Sequence, residues 1–176
     1  MSKSSQTSSI KDLHDIPLTC LRTAEFKNTL DAFEGKNIVI DFWTTKCTRC
    51  PDALDKLNSM AKQPQYANVE FASIVLDECD GARNIIETPD EQPRWNNIQH
   101  YYMDKDYKEH AKSMLGFNQV PFYAIINESG QIVQKGNKKQ VNFDDVPGII
   151  RLVEEKEREV EETKTEERVF CMDDDF

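Results

Sequence analysis

Short apolar runs alternate with helical patterns of apolar residues along most of the chain. Residues 38–43 hold five apolar side chains and one acid, and residues 69–76 form a second short run with several β-branched residues. Runs of this length and composition predict buried strands. Between them, residues 48–62 repeat apolar side chains every three positions, which predicts a helix. This alternation of helix and strand predicts parallel strands joined by right-handed crossovers.

The segment before the first of these strands is less regular. Residues 16–21 are a candidate edge strand, although the proline at position 17 weakens that interpretation. Thr23 is a candidate N-cap for a short helix that ends before Gly35. The residues at helical spacing in this segment are Phe26, Leu30 and Phe33.

The region after residue 76 carries additional elements. We expect a brief helix near residues 82–86, a strand at 98–103, and a helix at 106–115 that ends at Gly116. We interpret one helix and one strand of this region as an insertion into the sheet domain.

Residues 119–135 predict a hairpin. Pro121 precedes an apolar run at 122–126, a turn with Glu, Ser and Gly follows, and the chain returns through 131–135. Proline is tolerated where a strand opens. From residue 143, apolar residues at helical spacing predict a final helix that covers the sheet.

Length and charge divide the chain into three parts. We expect a disordered polar tail at 1–15, one folded domain at 16–153, and an acidic charged helix or tail at 154–176. The net charge of −10 is uneven, because residues 151–176 carry −6 and residues 1–150 carry −4. This balance gives no electrostatic support for nucleic acid as a partner. No apolar run approaches 18 residues, so we expect no membrane contact.

The candidate chemistry lies between the first long strand and the helix after it. Cys47 and Cys50 are separated by two residues in the turn between the strand and the helix. In this context a Cys-x-x-Cys motif indicates redox chemistry. The first thiol would lie at the helix N-terminus, and the flanking cations Lys46 and Arg49 would also favour a thiolate. A zinc site would need a second close ligand pair, which Cys79, His100 and His110 do not supply, and an inert thiol pair is the other alternative.

The stretch IDFWTTKCTRCP resembles the thioredoxin superfamily, in which an acid, Phe and Trp lead to the Cys-x-x-Cys. The VPF at 120–122 resembles that family's cis-proline loop, and Gly116 lies where family members keep a glycine. The insertion and the ESGQIV turn are most similar to the TlpA, tryparedoxin and nucleoredoxin branch. The resemblance implies a three-layer α/β/α fold with a central mixed sheet, plus an inserted helix and strand before the cis-proline loop.

The resemblance also implies a thiol-disulfide oxidoreductase with three catalytic residues. Cys47 would attack a partner's disulfide, and Cys50 would resolve the mixed disulfide. Asp41 would lie beneath the pair and transfer protons, because an apolar setting raises a carboxyl pKa. The residues expected to shield the site or contact substrate are Trp43, Lys46, Thr48, Arg49, Val120 and Pro121.

The sequence departs from the family at three positions. Lys46 replaces the tryptophan common before the first cysteine, and Thr48-Arg49 replaces Gly-Pro between the cysteines. Thr44, three residues before Cys47, resembles the Thr-x-x-Cys of peroxiredoxins, but position 40 is Ile where that family has proline.

We therefore expect a cytoplasmic reductase of protein disulfides that works in electron transfer and cell redox homeostasis. We expect it to be a monomer without cofactor or metal. Its electron donor would be an upstream reductase, glutathione or another dithiol. The alternative is a redox-silent or redox-sensing interaction module. The first residues show no apolar core of a secretory signal, and in a reducing compartment a Cys pair is more often catalytic than structural. Cys20 and Cys79 are expected to be packing thiols, and Cys171 is a candidate third redox thiol.

Overall fold

A computed structural model describes residues 15–88 and 91–172, with side chains described through residue 168. The expected polar tail lies outside these residues, except for position 15. Pro89, the last four residues and the side chain of Cys171 also lie outside them. The strands are β1 Pro17–Cys20, β2 Phe26–Asn28, β3 Ile38–Trp43, β4 Glu70–Val75, β5 Gln99–Met103, β6 Phe122–Ile126 and β7 Ile132–Gly136. The helices are α1 Thr29–Phe33, α2 Cys50–Ala61, α3 Cys79–Glu87, α4 Lys105–Leu115 and α5 Val146–Met172, and a 3-10 turn covers Pro64–Tyr66.

The seven strands form one mixed sheet in the order β2-β1-β5-β4-β3-β6-β7. Strands β3, β4 and β5 are parallel neighbours, whereas β6 pairs antiparallel with β3 and β1 pairs antiparallel with β5. The prediction of an α/β fold with a central mixed sheet is confirmed. The inserted strand β5 lies between β4 and β1, so it widens the sheet on the side away from the β6–β7 hairpin.

Helices cover both faces of the sheet because side chains of β3 alternate between two apolar clusters. Ile38, Ile40 and Phe42 face a cluster that includes residues of α1 and α4. Val39 and Trp43 face a second cluster with residues of α2, α3 and α5. All six residues of β3 are buried, which agrees with the near-continuous apolar run.

The N-terminal segment differs from the prediction. Residues 26–28 form strand β2, which pairs antiparallel with β1, so β1 is not an edge strand and β2 is. The helix α1 begins after Asn28, whose side-chain oxygen accepts a hydrogen bond from the Asp31 amide at 2.7 Å. The predicted N-cap at Thr23 is wrong because a tight turn closes the β1–β2 hairpin there, with Ala24 at φ 59°.

Helix α5 continues without interruption across residue 153 and through the charged segment. Its first two turns are packed on the sheet, where Val146 and Ile150 are buried, and most of its later side chains are exposed. In the described parts of the chain, no helix has the length and apolar character needed to cross a bilayer.

Candidate active site

The two cysteines of the motif are joined in a disulfide, and their surroundings differ. Cys50 is the first residue of α2 and is fully buried, whereas Cys47 lies in the preceding turn and is half-buried. Cys50, rather than Cys47, therefore occupies the first helical position. A partner molecule can reach the sulfur of Cys47 but not that of Cys50, so the geometry gives the two thiols different roles.

The proline loop closes the other side of the disulfide. The Cys47 Sγ lies 3.7 Å from the carbonyl oxygen of Val120. Val120 and Pro121 are half-buried, and the peptide bond between them is cis. A substrate sulfur that approaches Cys47 would therefore also meet the backbone of Val120.

Asp41 is a fully buried residue of β3. It shares a face of β3 with Val39 and Trp43, the face that α2 and the buried Cys50 cover. Its side chain is fully buried, and neither carboxyl oxygen has a hydrogen-bond partner among the described residues. Burial raises the pKa of Asp41 well above its ordinary value. A carboxyl with a raised pKa under α2 is suited to accept a proton from Cys50 and to give one back.

Tyr123 stands opposite Asp41 on the neighbouring strand β6. Burial raises the pKa of the Tyr123 hydroxyl, and the nearby Asp41 carboxyl raises it further. Tyr123 therefore stays neutral and places no second negative charge beside Asp41.

Asp77 holds the loop before the cysteines, a role that the sequence interpretation missed. Its carboxylate accepts hydrogen bonds from the Thr45 amide, at 3.0 Å to each oxygen, and from the Thr45 hydroxyl at 2.6 Å. Asp77 follows β4, the strand beside β3, so parallel pairing brings its carboxylate to the same sheet edge as Thr45. The turn that carries Cys47 is thereby attached to the sheet at its first residues.

Trp43 is not at the surface that faces a substrate. It is 1% exposed and packs edge-on against Trp95. Its indole N–H donates to the Ser73 hydroxyl at 3.2 Å. The Trp43 side chain lies in the apolar cluster with residues of α2 and α3, away from the surface that a substrate would reach.

The hydrogen-bond network below Trp43 continues to the inserted strand. The Ser73 hydroxyl lies 2.6 Å from His100 Nδ1, and His100 Nε2 lies 3.0 Å from the Trp95 carbonyl oxygen. Because the Trp95 carbonyl only accepts, His100 Nε2 carries the proton and Nδ1 accepts from Ser73. Burial lowers the pKa of His100 to about 4, so the ring is neutral at physiological pH.

The polar residues predicted around the cysteines are at the surface. Lys46, Thr48 and Arg49 are exposed and flank Cys47 in the chain, and Arg49 lines one cavity together with Val120 and Pro121. Cys20 and Cys79 are free thiols, both half-buried and both packed against the apolar clusters. In the described residues, no group of three or more His, Cys, Asp or Glu side chains has the arrangement of a metal site.

Comparison with known proteins gives the same picture of the fold. The AhpC/TSA family model matches residues 13–135. The thioredoxin domain of a thiol-disulfide oxidoreductase from Bacteroides vulgatus superposes with a TM-score of 0.60 at 18% identity, over 86% of this chain and 98% of that one. A secreted disulfide oxidoreductase of Mycobacterium tuberculosis, homologous to E. coli DsbE, superposes with a TM-score of 0.56 at 16% identity, over 81% and 98%. A search of curated proteins found no match. The predicted thioredoxin-like fold is confirmed.

Proposed function

The chain belongs to the AhpC/TSA family, and on that basis we propose that it is a thiol-disulfide oxidoreductase that reduces protein disulfides through Cys47 and Cys50. The observation that supports this most directly is the disulfide itself, in which one cysteine is half-exposed and the other is buried on the face of the sheet that carries Asp41. A purely structural disulfide has no need of this asymmetry or of a buried acid without a partner.

The proposed reaction starts from the reduced dithiol. The Cys47 thiolate attacks one sulfur of a substrate disulfide, and the other substrate sulfur leaves as a thiolate that takes up a proton. Cys50 then loses its proton and attacks the Cys47 sulfur of the mixed disulfide. This releases the second substrate thiolate, which is protonated in turn, and forms the Cys47–Cys50 disulfide. Two electrons and two protons pass to the substrate, and a thiol or dithiol reductant restores the pair.

Asp41 serves the second step in this scheme. Cys50 is buried, so its proton has no direct route to water, and the Asp41 carboxylate accepts it. The burial that raises the Asp41 pKa makes the carboxylate a stronger base than an exposed aspartate. Lys46 and Arg49, both exposed beside the cysteines, favour the thiolate of Cys47 in the reduced protein.

The proposal extends to the setting of the protein. Both described cysteines outside the motif are free thiols, which is typical of a reducing compartment and supports the cytoplasm. The structural neighbour from Mycobacterium tuberculosis is a secreted protein, so the fold also occurs outside the cytoplasm. We propose that protein disulfides are the substrates, that the electron donor is a reductase, glutathione or another dithiol, and that the protein acts as a monomer.

Peroxide reduction is a second candidate, favoured by Thr44 three residues before the reachable Cys47. In that reaction the Cys47 thiolate would attack one oxygen of the peroxide and become a sulfenic acid. The other oxygen would leave and take up a proton, as water from hydrogen peroxide or as an alcohol from an organic peroxide. Cys50 would then form the same disulfide with loss of water.

One assay separates these functions. The reduced protein is mixed with a protein disulfide or with hydrogen peroxide, and the loss of its two motif thiols is followed in time. We expect fast oxidation by the protein disulfide, at least 100-fold slower oxidation by peroxide, and loss of the fast phase in Cys47→Ser. Fast oxidation by peroxide alone would replace the proposed function with a peroxidase. Slow oxidation by both would leave the redox-silent interaction module.

A further inference from the structure

A groove opens beside the disulfide, between α2, the proline loop and the turn after β7. Its volume is about 690 Å³, which is in the range of pockets that hold a small ligand or a short peptide segment. Arg49 and Val120, which flank the cysteines, also line this groove. A peptide whose cysteine reacts with Cys47 can therefore continue directly into it.

The groove has an apolar floor and a basic rim. Aromatic and aliphatic side chains from α2 and from the segments after α4 form the floor. The cations of the rim are Arg49, Lys56, Lys138 and Lys139, and Asp52 is the single acid among the lining residues. All five of these charged side chains are exposed.

The positions of the cations follow from two rigid elements. Arg49 is the N-cap residue of α2 and Lys56 lies seven residues further along the helix, so the two project from the same side of α2. Lys138 and Lys139 lie on the turn after β7, and Asn137 fixes the shape of that turn. The Asn137 side-chain oxygen accepts a hydrogen bond from the Lys139 backbone amide, and the Asn137 backbone amide donates to the Gln140 side-chain oxygen, each at 2.9 Å. The Lys56 ammonium also lies 5.2 Å from the centre of the Phe143 ring.

These four cations have no acidic partner within the described residues. The ion pairs found there are Lys36–Glu70, Arg83–Asp80 and Lys112–Glu109, all outside the groove. The rim thus carries four cations against the single acid Asp52, in a chain whose net charge is −10. A local patch of this sign attracts anionic groups and repels cationic ones at short range.

We propose that this groove selects substrates by charge: it binds acidic residues that flank the reactive cysteine of a protein disulfide. The inference rests on the proposed function and specifies its substrate class. The reacting sulfur lies at Cys47, the flanking chain follows the groove, and its Asp or Glu side chains meet the lysines of the turn and the two cations of α2. The floor accommodates apolar side chains of the same segment.

The test compares three peptides with one internal disulfide each and identical spacing, flanked by Asp-Asp, Asn-Asn or Lys-Lys. The measured quantity is the second-order rate constant, equivalent to kcat/KM, with which each peptide oxidises the pre-reduced protein, at low and at high ionic strength. We expect the acidic peptide to be reduced fastest and the basic one slowest. In Lys138→Gln/Lys139→Gln, the ratio of acidic to neutral kcat/KM should fall about fivefold, the effect expected for the loss of two exposed charge pairs.

A matched control carries the same charge change elsewhere. Lys105 and Lys108 lie on α4 and do not line the groove. Lys105→Gln/Lys108→Gln should therefore keep the wild-type ratio. The preference of the wild type should also diminish at high salt, because screening shortens from about 30 Å at 0.01 M to about 3 Å at 1 M. Equal rates for the three peptides, or an equal effect of the two double variants, would overturn the proposal.

A binding measurement separates this inference from the proposed function. The double variant Cys47→Ser/Cys50→Ser can form no mixed disulfide, and its affinity for a thiol-blocked, fluorescent form of each peptide is measured by anisotropy. Selective binding of the acidic peptide by this variant, together with no reductase activity in the wild type, would support the groove and refute the reductase. Reductase activity without charge selectivity in either assay would refute the groove alone.

Discussion

Replacing Asp41 with asparagine should stabilise the folded protein, and the gain should grow as pH rises. The Asp41 side chain is fully buried and its oxygens have no partner among the described residues, so its charged form is strongly disfavoured in the fold. Burial raises its folded-state pKa, whereas an unfolded aspartate has a pKa of about 3.9. Asparagine has nearly the same shape and no charge at any pH.

The size of the effect follows from proton linkage. Below about pH 3.9 both states hold the proton, so the Asp41 contribution to stability is fully present. As pH rises above that value, the unfolded state releases its proton while the folded state keeps it. The wild type then loses about 1.4 kcal/mol of unfolding free energy per pH unit, until pH passes the raised folded pKa. Asp41→Asn lacks this loss.

The assay is urea unfolding of the oxidised protein between pH 4 and pH 8, for the wild type and the variant. The difference in unfolding free energy isolates Asp41, because all other titrating groups are shared. Asp106→Asn, an exposed position on α4, is the control and should follow the wild type across the range. A difference between wild type and Asp41→Asn that stays constant with pH would refute the raised pKa of Asp41.

The same variant should be a poorer enzyme. Without a base beneath it, Cys50 attacks the mixed disulfide more slowly, by about 10²-fold if Asp41 acts as a general base. The formation of the mixed disulfide at Cys47 should change much less. Equal slowing of both steps would mean that the substitution disturbs the site as a whole.

Three further substitutions test separate parts of the account. Asp77→Ala should lower stability by about 1–3 kcal/mol and slow disulfide reduction, because the Thr45 amide and hydroxyl lose their acceptor; unchanged urea midpoint and rate would contradict the anchoring role. The His100 pKa is about 4 in the folded protein, below its ordinary 6.5, so the fold favours the neutral ring. As pH falls from about 6.5 to about 4, the unfolded chain takes up a proton at this residue and the folded protein does not, which lowers the free energy of unfolding by about 3 kcal/mol in total. His100→Gln should lack that part of the acid destabilisation, and an identical pH profile would refute it. Gly116→Ala should lower the free energy of unfolding by about 1 kcal/mol, because a backbone φ of 75° is unfavourable for alanine. The added carbon would meet no atom within 4 Å, so the cost comes from the backbone alone, and an unchanged melting temperature would contradict it.

The central part of the fold was predictable because its residues are buried on both faces. Strand β3 was predicted with its observed bounds, since an apolar run interrupted only by Asp41 has few other interpretations. Strand β2 was not predictable. It contains only three residues at the edge of the sheet, and Phe26, which suggested a helix face, is 81% exposed.

The site was predictable where the motif is local and not where it depends on distant contacts. Cys47 and Cys50 are three positions apart, so their relation can be inferred from the sequence. Asp77 acts on a residue 32 positions away, and nothing in its neighbours indicates that contact. The lysines at 138 and 139 join the site only because the β6–β7 hairpin places their turn beside α2.

The most direct test of the central claim is to trap the mixed disulfide. Cys50→Ser is incubated with a cyclic disulfide peptide, and the adduct is identified by intact mass and located by peptide mapping. We predict one peptide per protein, bound to Cys47 and released by a dithiol, and no adduct at the motif in Cys47→Ser. Adducts confined to Cys20 or Cys79, or an adduct on Cys50 in the Cys47→Ser variant, would contradict the proposed roles of the two cysteines.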